Sequence, residues 1–526
     1  MQENQESKFQ FNLLKQPWIG LEKTNGEIEA SGIEFTLLHA QDYRGIYNTS
    51  PLVVVGVHRL LVVILQQIFN PVKENELRKL WQIEKIPPDL VNDFIGKYGD
   101  RFDLFSAEKP FYQSADVSQT PVKGSNIKSI AYLAPDIPTG TEVTHYHHQG
   151  QASQVFCPAC VASLLVCLPA FSTSGGQGIK PSINGVPPIY VLPYGGNLLQ
   201  SLLMSLVLPD FQPEVRSKSK DLVWWDRDPI IPQKSEIVSV GYLHSLTFQA
   251  RRVRLYPEEM KEDCSRCGKT GEIGVRKMIF DMGEWRAKDA PFWFDPFAAY
   301  HLREKKTPVP IRPQEGKAIW REYGSFFLKP KETECNGKGK VPEKTLRPRL
   351  LDQISILTEG ELGEISLRCI GLRTDMKAKV FEWIDTGFEV PTDLLRDEEA
   401  GYQIENGLNF SREAASTISS VFRKVFGGSS QKQGRYAQLK SEMIEKYWLT
   451  LAIPFREFVL SMAVKKDREK TYFNWVTRVV REANQAFSDA ASEIGDEGAQ
   501  LKLRFQAEKR CRIYLAAKLR NEVSND

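Results

Sequence analysis

Two Cys-x-x-Cys pairs constrain this chain more than any other feature. One reads Cys157-Pro158-Ala159-Cys160; the other reads Cys264-Ser265-Arg266-Cys267 and is followed by Gly268. At this spacing one tight turn puts two thiolates on adjacent corners of a tetrahedron, and two such turns complete a closed structural zinc site. If both pairs hold one ion, segments far apart in the chain must meet in the fold. Two separate buried pairs and a redox dithiol are the competing readings. Cys-Pro-Ala-Cys resembles an oxidoreductase motif, but the βαβ pattern of a thioredoxin-like fold is missing around it. Cys167, Cys335, Cys369 and Cys511 are scattered. Eight cysteines in 526 residues are too few for a disulfide scaffold and fit a reducing compartment.

The first pair leads into an apolar run, Val161 to Pro169, and then into Ser172-Thr173-Ser174-Gly175-Gly176-Gln177-Gly178-Ile179-Lys180. Glycines let backbone N–H groups approach a partner closely, and a lysine favours an anion there. The spacing is wrong for a P-loop, and no strand feeds a dinucleotide fingerprint. Taken alone it is a surface turn; anchored by bound thiolates, it reads as a device for holding a loop against a polyanion.

A net charge of +3 excludes a uniformly basic nucleic-acid sponge, so any such contact must come from local patches. The polar start Met1 to Glu6 is unlike a signal peptide. The apolar run Val53 to Phe69 is interrupted by His58, Arg59, Gln66 and Gln67, which favours a buried helix over a membrane span. The chain reads as soluble and cytoplasmic.

Along the chain, Phe11 to Leu14 and Pro17 to Leu21 read as strands, with Asn25-Gly26 as a hairpin turn. Ser50-Pro51 opens the apolar helix and Asn70-Pro71 closes it; further helices are read over 75–85, 89–98 and 197–208. Four aromatics between Arg101 and Gln113 read as a packed turn. Residues 237–241 and 245–256 read as a strand pair carrying Arg251, Arg252 and Arg254. His145, Tyr146, His147 and His148 read as a solvated loop, with a tyrosine that could stack on an unpaired base. Alternation over 365–373 and again from Ala378 gives a hairpin, and Thr374 to Lys377 form its tip. An apolar and a basic residue together there suit a wedge into a base stack, although an ordinary β-turn is the commoner outcome. From Pro391 helical periodicity dominates, in four segments (393–426, 431–463, 468–491 and 499–519) expected to form an antiparallel bundle. The fold class is therefore α+β: a large mixed α/β N-terminal domain over 1–390 with a structural zinc site, then a four-helix bundle over 391–526.

The order of these pieces resembles the CasA family, the large subunit of the type I-E CRISPR surveillance complex Cascade. The matching residues are Phe11 to Ile19, Arg101 to Phe105 with Pro110-Phe111, both cysteine pairs, the glycine loop to Lys180, Phe248 to Arg252, and the terminal helices. The resemblance implies a non-catalytic subunit that reads the protospacer-adjacent motif on double-stranded DNA while guide RNA reads the target sequence. It places Gly175, Gly176, Gly178 and Lys180 at that motif and a duplex wedge at Asp375, Met376, Lys377 and Ala378. Relatives present an amide side chain at the wedge tip, where this chain has Met376 and Lys377. The resemblance also places Tyr146 and His147 at the guide RNA, and an auxiliary basic residue at Arg286 or Lys288. The implied partners are the other Cascade subunits, guide RNA, target duplex and a helicase-nuclease, with no membrane; the implied cofactor is structural zinc. The competing classes are a zinc-dependent enzyme and a zinc-stabilised scaffold. No HExxH or HNH-like cluster supports the enzyme.

Overall fold

The structure is a computed structural model. It describes residues 9–117, 126–135, 154–174, 179–213, 221–227, 235–237, 240–288, 290–302, 307–329, 344–358, 363–374, 380–426, 433–495 and 497–524. The chain forms two compact units: Met1–Gln314 with Glu343–Glu389, and Glu315–Pro342 with Val390–Asp526.

The first unit is built around the helix Pro51–Phe69. Pro51 fits the first turn, where its missing N–H costs nothing, and Asn70 ends the helix at φ +39°. Its length and apolar composition would suffice to cross a membrane, yet every residue from Pro51 to Gln66 is buried within the unit. The interrupting polar residues each find a partner. His58 Nε2 lies 2.8 Å from the Ser205 hydroxyl, and Arg59 pairs with Asp295 at 3.0 Å. Gln66 exchanges hydrogen bonds with both the N–H and the carbonyl of Val207. These groups are tolerated in the core because each side chain has such a partner, although the Nε of Arg59 is left without one among the described residues.

An N-terminal sheet joins Ile19–Lys23 to Ile28–Ser31 and to Tyr43–Tyr47, both antiparallel. Gly26, at φ +85°, makes the turn expected of Asn25-Gly26. Phe11 to Leu14, expected to be a strand, is instead a turn: the Asp103 carboxylate accepts from the Phe11 N–H at 3.0 Å, and Asn12 Oδ1 accepts from Leu14 at 2.9 Å. Strand pairing is reduced to one antiparallel bridge, Asn12 with Asp103, in which the Leu13 N–H donates to the Phe102 carbonyl and the Leu104 N–H to the Phe11 carbonyl; side-chain acceptors serve the neighbouring N–H groups. The aromatic turn is core, with Phe102 and Phe111 fully buried and Tyr112 stacked on Trp224 at 5.3 Å. The expected helix over 197–208 stops at Met204, because Leu206 to Leu208 turn out to hydrogen-bond the Gln66 and Gln353 side-chain amides.

The element that positions the candidate site is an antiparallel ribbon, Arg251–Glu259 against Ile273–Met282, with Arg251 opposite Met282; Ile127–Ser129 adds a short third strand on the Ile273–Met282 side. This corrects the expected strand pair over 237–241 and 245–256. Residues Tyr242–Leu246 are a short buried helix, whose first turn is held by the Asp221 carboxylate accepting from the His244 N–H at 2.9 Å. The strand Ser235–Ile237 pairs in parallel with Glu284–Arg286. Alternating Ser245, Leu246, Thr247 and Phe248 imitates a strand, but all four are buried, so alternation carried no inside–outside information. The hairpin stem is present as Glu364–Thr374 hydrogen-bonded to Val380–Pro391, with Arg373 paired to Glu382 at 2.8 Å.

In the second unit the helices Glu398–Phe426, Gln433–Ala463, Arg468–Ser492 and Gly498–Ser524 pack together. Gly407 lets Trp475 close on the first of them: an added Cβ would lie 2.8 Å from the indole, whose Nε1 donates to the Gly407 carbonyl at 3.0 Å. The unit also takes in 315–329, which the sequence reading assigned to the first domain. There Trp320 packs on Trp448 and Phe455, and the Arg321 guanidinium stacks 3.9 Å from the Trp448 ring centroid.

Candidate metal site and nucleic-acid interface

The turn between the ribbon strands carries the second cysteine pair. Gly268, at φ +68°, closes it with an N–H donated to the Cys264 carbonyl at 2.8 Å. Cys157 is the N-cap of the helix Pro158–Leu165, and the residues before it are stitched to the ribbon. Phe156 and Val275 exchange two backbone hydrogen bonds, and the Ser265 N–H donates to the Val155 carbonyl at 2.8 Å. The four sulfurs of Cys157, Cys160, Cys264 and Cys267 consequently lie within 4.8 Å of one another. Cys157 to Cys267 and Cys160 to Cys264 are each 3.8 Å, far beyond a disulfide bond. Both pairs therefore meet in one cluster, and the reading of two separate pairs is set aside. The cluster can hold a metal ion.

Cys157, Cys160 and Cys264 resist ionising together. Cys160 is pushed up, chiefly by its hydrogen bonds to Cys157 and Cys264 and then by burial. Cys264 is held well below the usual thiol range by the thiols of Cys157 and Cys160, helped by the Cys157 N–H, which donates to its sulfur at 3.2 Å. A cation among them would remove the mutual repulsion.

From Cys157 the chain runs through Pro158–Leu165 and the short helix Leu168–Phe171 to the neck of the glycine loop. Gly175, Gly176 and Gly178 lie outside the described residues; Thr173 and Lys180 are described. The Ser182 N–H donates to the Ser172 carbonyl at 2.9 Å and closes the neck. At the open end of the ribbon, the Lys180 N–H meets the Met282 sulfur at 3.2 Å, and Arg251 Nη1 donates to the Lys180 carbonyl at 2.8 Å. Arg251 Nη2 donates to the Thr173 carbonyl. One guanidinium thus spans both sides of the neck. The sequence reading named Arg251 but gave it no role, and nothing in its spacing ties it to Thr173 or Lys180.

The other arginines of that strand are also used internally: Arg252 pairs with Asp116, and Arg254 reaches the Ser106 and Ala107 carbonyls. Just beyond Met282, Glu284 is buried against Arg227 and His244 and accepts the Gln249 N–H at 3.0 Å. Burial alone would raise its carboxyl, but Arg227 and then His244 outweigh burial and hold it at about 2. Arg286 stacks its guanidinium 5.2 Å from the Phe292 ring centroid and is half-buried, whereas Lys288 is exposed. Tyr146 and His147, and the tip residues Asp375, Met376, Lys377 and Ala378, lie outside the described residues.

A mixed α/β unit with a tetracysteine cluster is joined in one chain to a helical bundle. The chain belongs to a family of CRISPR-associated proteins: the family described as CRISPR-associated protein Cse1 matches residues 12–486. It is 26% identical over 524 residues to the CasA/Cse1 protein of Thermus thermophilus, covering 95% of this chain and 96% of the relative. The crystal structure of Cse1 from Acidimicrobium ferrooxidans is similar, with a TM-score of 0.78 at 21% identity over 98% of this chain and 99% of that one. A chain of a CRISPR RNA-guided surveillance complex has the same fold, with a TM-score of 0.72 at 17% identity over 96% and 99% of the two chains.

Proposed function

We propose that this chain is the non-catalytic large subunit of a cytoplasmic Cascade complex, and that it reads the protospacer-adjacent motif on duplex DNA. Membership of the CasA/Cse1 family and a fold shared with a surveillance-complex chain support the assembly and its guide RNA. One observation carries the DNA reading: the neck of the glycine loop is fastened to one end of a β-ribbon whose other end is the cysteine cluster. Such bracing suits a loop that must hold its shape against a rigid partner. A minor groove about 6 Å wide admits a backbone of glycines more readily than bulky side chains. Gly175, Gly176 and Gly178 would then approach the base edges while Lys180 meets phosphate.

The ion in this reading is zinc. A tetrahedron with metal–sulfur bonds of about 2.3 Å has edges of about 3.8 Å, and two of the sulfur pairs stand at 3.8 Å. Bound zinc would hold the four thiolates together, a structural role. Asp375 to Ala378 would split the duplex from the tip of the paired stem, with Met376 entering the stack. Tyr146 and His147 would meet guide RNA. As the auxiliary cation, exposed Lys288 is better placed for phosphate than Arg286, which is committed to Phe292. Recruitment of the helicase-nuclease follows from the family reading alone.

Gel-shift titration of the assembled complex tests the function, using targets that differ only in the adjacent motif. Motif reading requires affinity to change with the motif in the native complex and to fall in Lys180→Ala. A structural scaffold, the alternative, predicts equal binding throughout.

A further inference from the structure

The open end of the ribbon holds Lys180 by its main chain on both sides. Met282 takes its N–H at 3.2 Å and Arg251 takes its carbonyl at 2.8 Å, and these two residues face each other across the strands. The same Arg251 guanidinium also binds the Thr173 carbonyl. Arg251 is 4% exposed, and its described hydrogen bonds go to the carbonyl oxygens of Thr173, Lys180 and Ala250. Burying a cation against carbonyl dipoles and the Phe280 ring, whose centroid lies 5.7 Å away, is a costly way to fasten two strands of chain; an apolar contact would do it more cheaply. A planar fork does offer fixed direction, because each N–H is aimed by the geometry of the group.

We propose that Arg251, with Met282 opposite it, is the positioning residue for Lys180: it sets the width of the loop neck and the direction in which the lysine leaves the ribbon. This inference rests on the reading that Lys180 meets target DNA. Arg251 itself, buried beneath the neck, touches no nucleic acid and acts through Lys180.

A double-mutant cycle in the reconstituted complex tests it, with affinity for a duplex carrying the preferred motif as the readout. We expect Lys180→Ala and Arg251→Gln each to weaken binding roughly tenfold, and the double variant to be no weaker than either alone, because coupled residues fail to add. Metal content and thermal midpoint of the free subunit should stay near native in Arg251→Gln. Should that variant not fold, Arg251→Lys decides. It keeps the charge but cannot reach both carbonyls, and a several-fold loss that vanishes in the Lys180→Ala background is expected. Additive losses, or native affinity in either Arg251 variant, overturn the positioning role while leaving the DNA reading intact. Native affinity in Lys180→Ala overturns the DNA reading, and the positioning role with it.

Discussion

At its turn end the ribbon meets Cys157 and Cys160 with two thiols of its own, whereas at its open end one guanidinium meets the carbonyl oxygens of Thr173, Lys180 and Ala250. Both junctions fasten the same stretch of chain, from Cys157 through its two helices to the loop neck, so that stretch and the ribbon form two rails tied at both ends. The chemistry of the ties differs. Thiolates around a cation gain formal Coulomb energy and tolerate modest rotation of each side chain. A buried guanidinium among carbonyls gains little net energy, and burial pushes Arg251 down to about 10, though it stays charged at neutral pH. What it offers is direction. Strength therefore sits at one end of the ribbon and aim at the other.

Breaking the strong end should have the largest effect. Cys264→Ser with Cys267→Ser, or removal of the ion by a chelator, should unfold the first unit, since structural zinc contributes on the order of 10 kcal/mol to folds that depend on it. Thermal melts paired with metal analysis check this, and an unchanged melt in metal-free protein would show that the thiols hold the rails unaided.

Acid should loosen the aimed end next. Glu284, just past Met282, is held at about 2, and a folded value below the unfolded one gives stability that is present above about pH 4.5 and lost as pH falls toward 2. The contribution is about 3 kcal/mol. His58 adds an earlier loss: burial, then Arg59, holds it at about 3. The unfolded chain alone therefore takes up its proton, and stability begins to fall below about pH 6.5. Denaturant titrations from pH 7.5 to 3.5 should show both phases. Glu284→Gln should flatten the profile only below about pH 4.5, whereas His58→Asn should flatten it from about pH 6.5 downward.

Smaller effects should appear in DNA binding without loss of fold. Lys180→Ala should cost about 1.4 kcal/mol of target affinity, a tenfold change. Lys288→Ala should cost less, about twofold, and should lose its effect as salt is raised, as expected of a single exposed cation near phosphate. If Lys288→Ala proved the more damaging of the two, the aimed end would not be where DNA is read.

The strong end was legible in the sequence and the aimed end was not, for a physical reason. Cysteine spacing carries its own geometry, so Cys157, Cys160, Cys264 and Cys267 could be paired before any fold was known. The hairpin at Asn25-Gly26, the buried helix from Pro51 and the terminal helices were legible because turn chemistry and periodicity are local. Arg251 recognises carbonyl groups, which every residue has, so no residue type at 173 or 180 announces the contact. Ser245 to Phe248 misled because alternation means little where all four side chains are buried. Residues 315–329 cluster with the later helices because Trp320 finds its partners, Trp448 and Phe455, far along the chain, which local sequence does not announce.

That last contact has a consequence during translation. Trp320 leaves the ribosome roughly 130 residues ahead of Trp448, an interval on the order of ten seconds at usual elongation rates. A greasy segment waits through it without the surface made to cover it, so the newborn polypeptide is most vulnerable to chaperone capture or clumping late in its synthesis.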